Sequence, residues 1–283
     1  MIRSNKNQVL QYFKDKASEY DLVEGQVYWM LSDQLLEHLF NESALSLLAE
    51  EFHFLDAGGG TGRWSEKILQ SYSSSTGVIY DLSPDMLEQA EQKRQNGLES
   101  RLELRKGNIE RMDDLDDETF DLTFSFHNVL GFVNSPQKAI KEMARVTKEG
   151  GYVVSVVPNQ YHCIFFNLML GRVEEVAYIT KEGKGRFTLD MPYMHLFTPS
   201  SLMEIYHNVG LENIGVFGFP ITIYPGMQET QITGSTEKIA NLLDNHKNYK
   251  KVYKLEEELS SRVEAVARGN NLFIVGTKRG EQK

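Results

Sequence analysis

The chain has 283 residues, of which 41% are apolar and 25% charged, and its net charge is −10. This length can bury a substantial core, while the acidic balance excludes broad electrostatic wrapping of nucleic acid. The single cysteine, Cys163, excludes an internal disulfide and a cysteine-based zinc site. We expect a cytoplasmic protein, because one cysteine suits a reducing compartment and neither a signal peptide nor a membrane-spanning apolar run is present.

The N-terminal part of the chain predicts helices. Residues 8–48 show amphipathic helical spacing, with aromatic residues such as Tyr12 and Tyr20 on one side. We therefore interpret residues 1–50 as a helical N-terminal cover.

A glycine-rich stretch follows, in which residues 54–64 read FLDAGGGTGRW. A buried strand is expected before the four glycines, and a helix is expected after them. Strand, glycine turn and helix in this order are typical of the nucleotide-binding start of a doubly wound α/β fold. The dinucleotide motif itself fails, because Arg63 stands where its third glycine would be.

From there the pattern alternates between strands and helices. Strands are predicted at 77–80, 102–105, 120–126 and 152–157, with helices at 84–95 and 136–147. This alternation indicates parallel strands joined by crossover helices. We predict a single α/β domain with a Rossmann-like, doubly wound, mostly parallel sheet, whose cofactor-binding core is residues 51–158.

The rhythm breaks after Pro158. We interpret residues 159–198, which are rich in aromatic residues and methionine, as an inserted lid over the carboxyl edge of the sheet. Residues 199–283 would complete the sheet: a helix at 199–209, an irregular region at 219–233, a charged helical run at 236–267 and a final strand, NLFIVGTKR.

Five pieces in order carry a resemblance to a known family: DAGGGTG, VIYDLSPDML, GNIERM, FDLTFSFHNVLGFV and VTKEGGYVVSVVPN. Together they resemble the class I S-adenosylmethionine-dependent methyltransferases. The resemblance implies S-adenosylmethionine as cofactor and no metal. It implies cofactor contacts for Tyr20, Asp56, Gly58, Gly59, Gly60, Asp81, Leu82, Asn108, Ile109 and His127.

The resemblance also suggests a role for several of these contacts. Asp81 would hold the ribose, Leu82 and Ile109 would enclose the adenine, and Asn108 would meet its exocyclic amine. The family usually has aspartate where Asn108 stands, and a plain turn residue is the alternative there. Asp56 has a similar alternative, because aspartates at strand ends often cap the following turn.

A closer pattern, in DAGGG, FHNVLGFV and HLFTPSSL, resembles the tRNA 5-carboxymethoxyuridine methyltransferase group. In that group a Gly-Gln pair is followed by an arginine suited to the methionine carboxylate, and Tyr28 stands at that position here. This departure and the acidic charge favour a small-molecule acceptor, methylated at N or O. A tRNA acceptor and a non-catalytic S-adenosylmethionine-binding protein remain the alternatives.

Methyl transfer from a sulfonium depends chiefly on alignment, with an optional general base. His127, at the end of the fourth strand, is the candidate base, and a cofactor contact is the alternative. Candidate substrate contacts lie in the lid and near the cover: Tyr28, Tyr161, His162, Tyr193 and His195. The aromatic residues of the lid would otherwise simply pack it.

Overall fold

A computed structural model describes residues 6–223 and 235–280, and its centre is a seven-stranded sheet. The strands of this sheet are β1 (His53–Ala57), β2 (Thr76–Asp81), β3 (Leu102–Lys106), β4 (Phe120–Ser125), β5 (Thr147–Pro158), β8 (Leu211–Phe219) and β9 (Asn271–Lys278). Two further strands, β6 (Lys184–Gly185) and β7 (Met194–His195), form a separate two-stranded ribbon. The order in the large sheet is β3-β2-β1-β4-β5-β9-β8. Strands β1 to β5 pair in parallel, and β9 runs antiparallel to both of its neighbours. The doubly wound, mostly parallel fold expected from the sequence is thereby confirmed.

Helices flank the sheet. They are α1 (Lys6–Lys16), α2 (Val27–Ser43), α3 (Arg63–Ser71), α4 (Pro84–Arg94), α5 (Val129–Phe132), α6 (Pro136–Val146), α7 (Gln160–Met169), α8 (Val173–Glu182), α9 (Pro199–Asn208), α10 (Ser235–Asp244), α11 (His246–Ser260) and α12 (Val263–Val266). A nine-residue 3₁₀ segment at 17–25 lies between α1 and α2, and a three-residue one at 45–47 lies between α2 and β1. Among the described residues, no helix combines the length and apolar character needed to cross a bilayer.

Three helices begin with the same local signal, a hydroxyl residue followed by proline. Ser83, Ser135 and Thr198 each accept a hydrogen bond from a backbone amide in the first helical turn. Proline at the next position fixes a helical φ without losing an intrahelical bond. These caps end the preceding loops at fixed points and so set where each crossover helix starts.

Two apolar layers hold the helices on the sheet. On one face α2 packs Leu31, Leu35 and Phe40 into the cluster that contains Phe54 and Phe124. On the other face α6 and α9 pack against the opposite sides of the same strands. Burial on both faces explains why the central strands read as continuous apolar runs rather than alternating patterns.

The structure differs from the sequence expectations in the second half of the chain. Strand β8 was not predicted, and no elements were predicted within residues 159–198, which contain α7, α8 and the β6–β7 ribbon. The predicted helical run at 236–267 is divided into α10, α11 and α12, with Asn245 capping α11. The predicted irregular region at 219–233 falls mostly outside the described residues, since only residues up to 223 are described there.

Candidate active site

The turn after β1 is built from glycines that have no room for side chains. Gly58 and Gly60 have positive φ angles of 80° and 55°. A Cβ on Gly58 would lie 2.4 Å from Val129 Cγ1, and one on Gly59 would lie 2.5 Å from Asp56 Cγ. The bare backbone therefore passes between two packed side chains, and a ligand in the cavity can approach the main chain of this turn closely.

Asp81, at the end of β2, is held in place by backbone amides. Gly60 N–H donates to one carboxylate oxygen at 2.9 Å, and Ser83 N–H donates to the other at 2.7 Å. Burial raises the pKa of Asp81, and these backbone hydrogen bonds oppose that rise. Each oxygen keeps a second lone pair, so a pair of ribose hydroxyls would find two oriented acceptors.

Asp56 lies beneath the same turn. Its carboxylate is buried and accepts a hydrogen bond of 2.8 Å from Ser65 Oγ. Burial raises the pKa of Asp56 from 3.8 to about 7, and the neighbouring Asp81 carboxylate adds to this rise. A cationic ligand next to buried Asp56 and half-buried Asp81 would favour the ionised form of both carboxyl groups.

All ten predicted cofactor contacts line one cavity above the carboxyl edge of the sheet: Tyr20, Asp56, Gly58, Gly59, Gly60, Asp81, Leu82, Asn108, Ile109 and His127. Helix α1 closes this cavity with Val9, Leu10 and Phe13. Asn108 also acts as a turn residue, because its Oδ1 accepts a hydrogen bond of 3.0 Å from Glu110 N–H. The turn role and a place in the cavity wall are therefore both present at Asn108.

A second cavity adjoins the first and shares part of its wall. The shared residues are Phe13, Tyr20, Arg63, His127 and Phe132. The remaining wall includes aromatic and methionine residues: Trp29, Phe187, Met191, Met194 and Phe219. Ligands in the two cavities would therefore both contact these five residues.

His127 sits in that wall with its ring fixed by two donors. Trp64 Nε1–H donates to His127 Nε2 at 2.6 Å, and Arg63 Nη2 donates to the same atom at 2.7 Å. Because both partners are obligatory donors, Nε2 is the acceptor and the proton of the neutral ring lies on Nδ1. Burial lowers the pKa of His127 well below its usual value, and Arg63 and Lys67 lower it further. This geometry argues against His127 as a general base and favours Nδ1–H as a hydrogen-bond donor.

Arg63 was recognised in the sequence only as the residue that breaks the dinucleotide motif. In the structure its guanidinium is buried and pairs with Asp33 of α2, with a distance of 2.7 Å from Nη1 to Oδ2. The residue lines both cavities. The position of Arg63 directly after the glycine turn was the one sequence signal for a role in the site. Its pairing with Asp33, thirty residues earlier in the chain, could not be predicted because the fold brings the two residues together.

One of the five predicted substrate contacts, His162, lines the second cavity, and the other four do not. His162 of α7 lines that cavity, and burial lowers its pKa to about 4, so its ring is neutral. Tyr28 of α2 is fully buried in the core. Tyr161, on the outer face of α7, is 51% exposed. Neither lines a described cavity.

The other two predicted contacts, Tyr193 and His195, have partners within residues 159–198. Tyr193 donates a hydrogen bond to Glu175, and the Arg186 guanidinium lies 4.5 Å from the centre of its ring. His195 pairs with Lys184 in the β6–β7 ribbon. Tyr28, Tyr161, Tyr193 and His195 do not line either of the two cavities, so their contact with a substrate stays a prediction.

Known proteins share this site's framework. Residues 55–155 match a family model described as a methyltransferase domain. The demethylmenaquinone methyltransferase of Oceanobacillus iheyensis is 34% identical over 175 residues, which cover 56% of this chain and 69% of that protein. The protein of the same name from Chlamydia trachomatis serovar D is 25% identical over 219 residues, covering 74% of this chain and 86% of that one.

Solved structures show the same fold. A possible histamine N-methyltransferase from Thermotoga maritima has a TM-score of 0.57 at 18% identity, covering 96% of this chain and 100% of that one. Phosphoethanolamine N-methyltransferase 2 of Haemonchus contortus, in complex with S-adenosylmethionine, has a TM-score of 0.56 at 17% identity, covering 88% and 53%. With the glycine turn, the oriented Asp81 and these relatives together, the chain belongs to the class I S-adenosylmethionine-dependent methyltransferases and uses S-adenosylmethionine as its cofactor.

Proposed function

We propose that this enzyme transfers the methyl group of S-adenosylmethionine to a nitrogen or oxygen atom of a small, partly apolar acceptor bound in the second cavity. The observation that carries this proposal is the shared wall formed by Phe13, Tyr20, Arg63, His127 and Phe132. A donor in the first cavity and an acceptor in the second would meet there, which is the arrangement that direct transfer requires.

The residues of the first cavity fit the cofactor. Asp81 offers two fixed acceptors for the ribose hydroxyls, and the glycine turn admits the methionine part close to the backbone. Leu82 and Ile109 supply apolar surface for the adenine. The cofactor, when bound, supplies a methyl group on a positively charged sulfur, and the negative potential of Asp56 and Asp81 suits that charge.

The second cavity fits a neutral acceptor. Its charged residues balance, since Lys16 and Arg63 are matched by Glu19 and Asp33, and the Arg63–Asp33 pair is buried. Its other side chains are mainly aromatic or methionine, which suits burial of an apolar ligand body. Demethylmenaquinone, the compound in the relatives' name, is also largely apolar.

In this mechanism the protein acts by positioning and by excluding water. His127, held as the Nδ1–H tautomer, donates a hydrogen bond and removes no proton. Tyr20 is half-buried, and its desolvation raises its pKa to about 12, so its phenol also remains a donor at neutral pH. An amine that is already neutral, or an ionised oxygen, would therefore react without a strong base from the shared wall.

The proposal is tested with isotopically labelled methyl donor and a panel of acceptors: aromatic amines, phenols, a 1,4-naphthoquinol and total tRNA. Turnover of an amine or phenol supports it, and the site of the label separates nitrogen and oxygen from carbon acceptors. Labelling of tRNA alone, weakening steeply with salt, would contradict the small-molecule acceptor. Donor binding without transfer to any member of a broad panel would instead favour a non-catalytic binding role.

A further inference from the structure

A carboxylate ties the N-terminal part of the chain to the glycine turn beside the first cavity. Asp21, in the 3₁₀ segment at 17–25, accepts a hydrogen bond of 2.9 Å from Thr61 Oγ1 through its Oδ1. Its Oδ2 lies 2.6 Å from Lys93 Nζ, which is also 3.5 Å from Thr61 Oγ1. Thr61 belongs to the glycine turn and lines the first cavity, and Lys93 lies in the last turn of α4. One carboxylate therefore joins three separate segments of the chain.

The segment that Asp21 anchors carries Tyr20, the residue directly before it. Tyr20 is a predicted cofactor contact and lines both cavities. Its ring centre lies 6.5 Å from that of Phe13 in α1, and the Phe13 ring makes an edge-to-face contact with Phe132, at 5.3 Å between ring centres. The position of Tyr20 is thus set by ring packing toward α1 and by the polar bonds of the next residue, Asp21.

Helix α1 itself is weakly embedded. None of its residues is buried, although α1 closes the first cavity with Val9, Leu10 and Phe13. An element with so little buried apolar surface opens at a low cost in free energy. A cofactor beneath α1 therefore depends on the polar bonds that hold this part of the chain closed, and the bonds of Asp21 lie next to the cavity wall.

The ion pair between Asp21 and Lys93 is partly shielded from water. The two side chains are 31% and 21% exposed, and Coulombic attraction is stronger where water is partly excluded. Neither residue lines either of the two cavities. An effect of Asp21 or Lys93 on the cofactor is therefore transmitted through the residues that they hold, or through long-range charge.

We infer that Asp21 is a positioning residue that, bonded to Thr61 and Lys93, holds Tyr20 and α1 closed over bound S-adenosylmethionine. We call these three bonded residues, Asp21, Thr61 and Lys93, the clasp. The clasp slows escape of the cofactor and keeps Tyr20 in the wall that the two cavities share. The inference concerns the donor side of the site, so it goes beyond the proposed acceptor and does not depend on it.

The affinity for S-adenosylmethionine, measured by calorimetry on folded protein, tests the clasp in Asp21→Asn and Lys93→Met. Both substitutions remove the ion pair, so each should raise the dissociation constant by about three- to tenfold, the effect of one ordinary hydrogen bond. The double variant should lose no more affinity than the weaker-binding single variant, because both changes break the same contact. The control is Arg94→Met, which breaks the pair of Arg94 with Glu91 on the same helix and should leave the constant unchanged.

Long-range charge alone predicts a different pattern. S-adenosylmethionine carries a net positive charge, so loss of the Asp21 charge would weaken its binding and loss of the Lys93 charge would strengthen it. A pair that serves only the stability of the fold would lower the unfolding free energy in urea and leave the dissociation constant of the folded protein unchanged. Tighter binding in Lys93→Met, or unchanged binding in either variant, would therefore overturn the inference.

The rate at which the cofactor leaves tests the closing role separately. Dissociation of S-adenosylmethionine, followed by stopped flow with excess S-adenosylhomocysteine, should be faster in both variants by about the same factor as the dissociation constant rises. Weaker binding through slower association, with an unchanged dissociation rate, would contradict a clasp that holds the site closed. Because no acceptor is present, these results do not depend on the proposed function.

Discussion

The buried ion pair between Arg63 and Asp33 provides a sharp test of how the N-terminal helices are attached to the site. The side chains are only 7% and 10% exposed, and Nη1 lies 2.7 Å from Oδ2. Asp33→Asn keeps the shape but removes the negative charge, leaving the guanidinium buried without its counter-charge. Breaking a buried pair in this way destabilises a protein by about 3–5 kcal/mol, and we expect a value near the lower limit because the amide oxygen still accepts one hydrogen bond.

Urea unfolding of the wild type, Asp33→Asn, Arg63→Met and the double variant Asp33→Asn/Arg63→Met measures this effect. The double variant should lose less stability than the sum of two single losses, because it leaves no unpaired charge. The exposed pair of Arg111 and Asp113 supplies a control, and Asp113→Asn should change the unfolding free energy by less than about 1 kcal/mol. A loss below about 1 kcal/mol for Asp33→Asn, or strict additivity, would refute the reasoning.

Three further predictions follow from the site. Arg63→Met should raise the pKa of His127, because one donor to Nε2 and a nearby positive charge are lost. NMR titration of the imidazole measures this pKa, and an unchanged value would contradict the bond between Arg63 and His127. Burial raises the pKa of Asp56 to about 7, so the folded protein retains a proton that the unfolded chain loses near pH 4. The stability of the ligand-free protein should therefore fall as pH rises from about 4 through about 7. The unfolding free energy of Asp56→Asn, measured with urea across this pH range, should lack this part of the slope. His162→Phe should weaken acceptor turnover while the matched variant Tyr161→Phe leaves it unchanged, and equal steady-state kinetics for the two would place the acceptor elsewhere.

The donor side of the site was predictable because its signals are local. The glycine turn and Asp81 each follow directly on a buried strand, and parallel strands bring such ends to one edge of the sheet. Residues contributed by later motifs, such as Ile109, follow from the same rule. The alternation of strands and helices fixes where these ends occur before any tertiary contact is known.

The acceptor side was not predictable, because it depends on which way side chains point in helices and turns. Tyr28 and Tyr161 both look suitable in sequence, yet one lies in the core and the other on the outer surface. The role of Arg63 depends on its pairing with Asp33, which is distant in sequence.

A crystal structure of the complex with S-adenosylhomocysteine would test the account most directly. We predict ribose hydroxyls within hydrogen-bond distance of both oxygens of Asp81, and the cofactor sulfur directed at the wall that the two cavities share beside His127. A ribose that does not contact Asp81, or a sulfur directed away from the second cavity, would contradict the proposed route of methyl transfer.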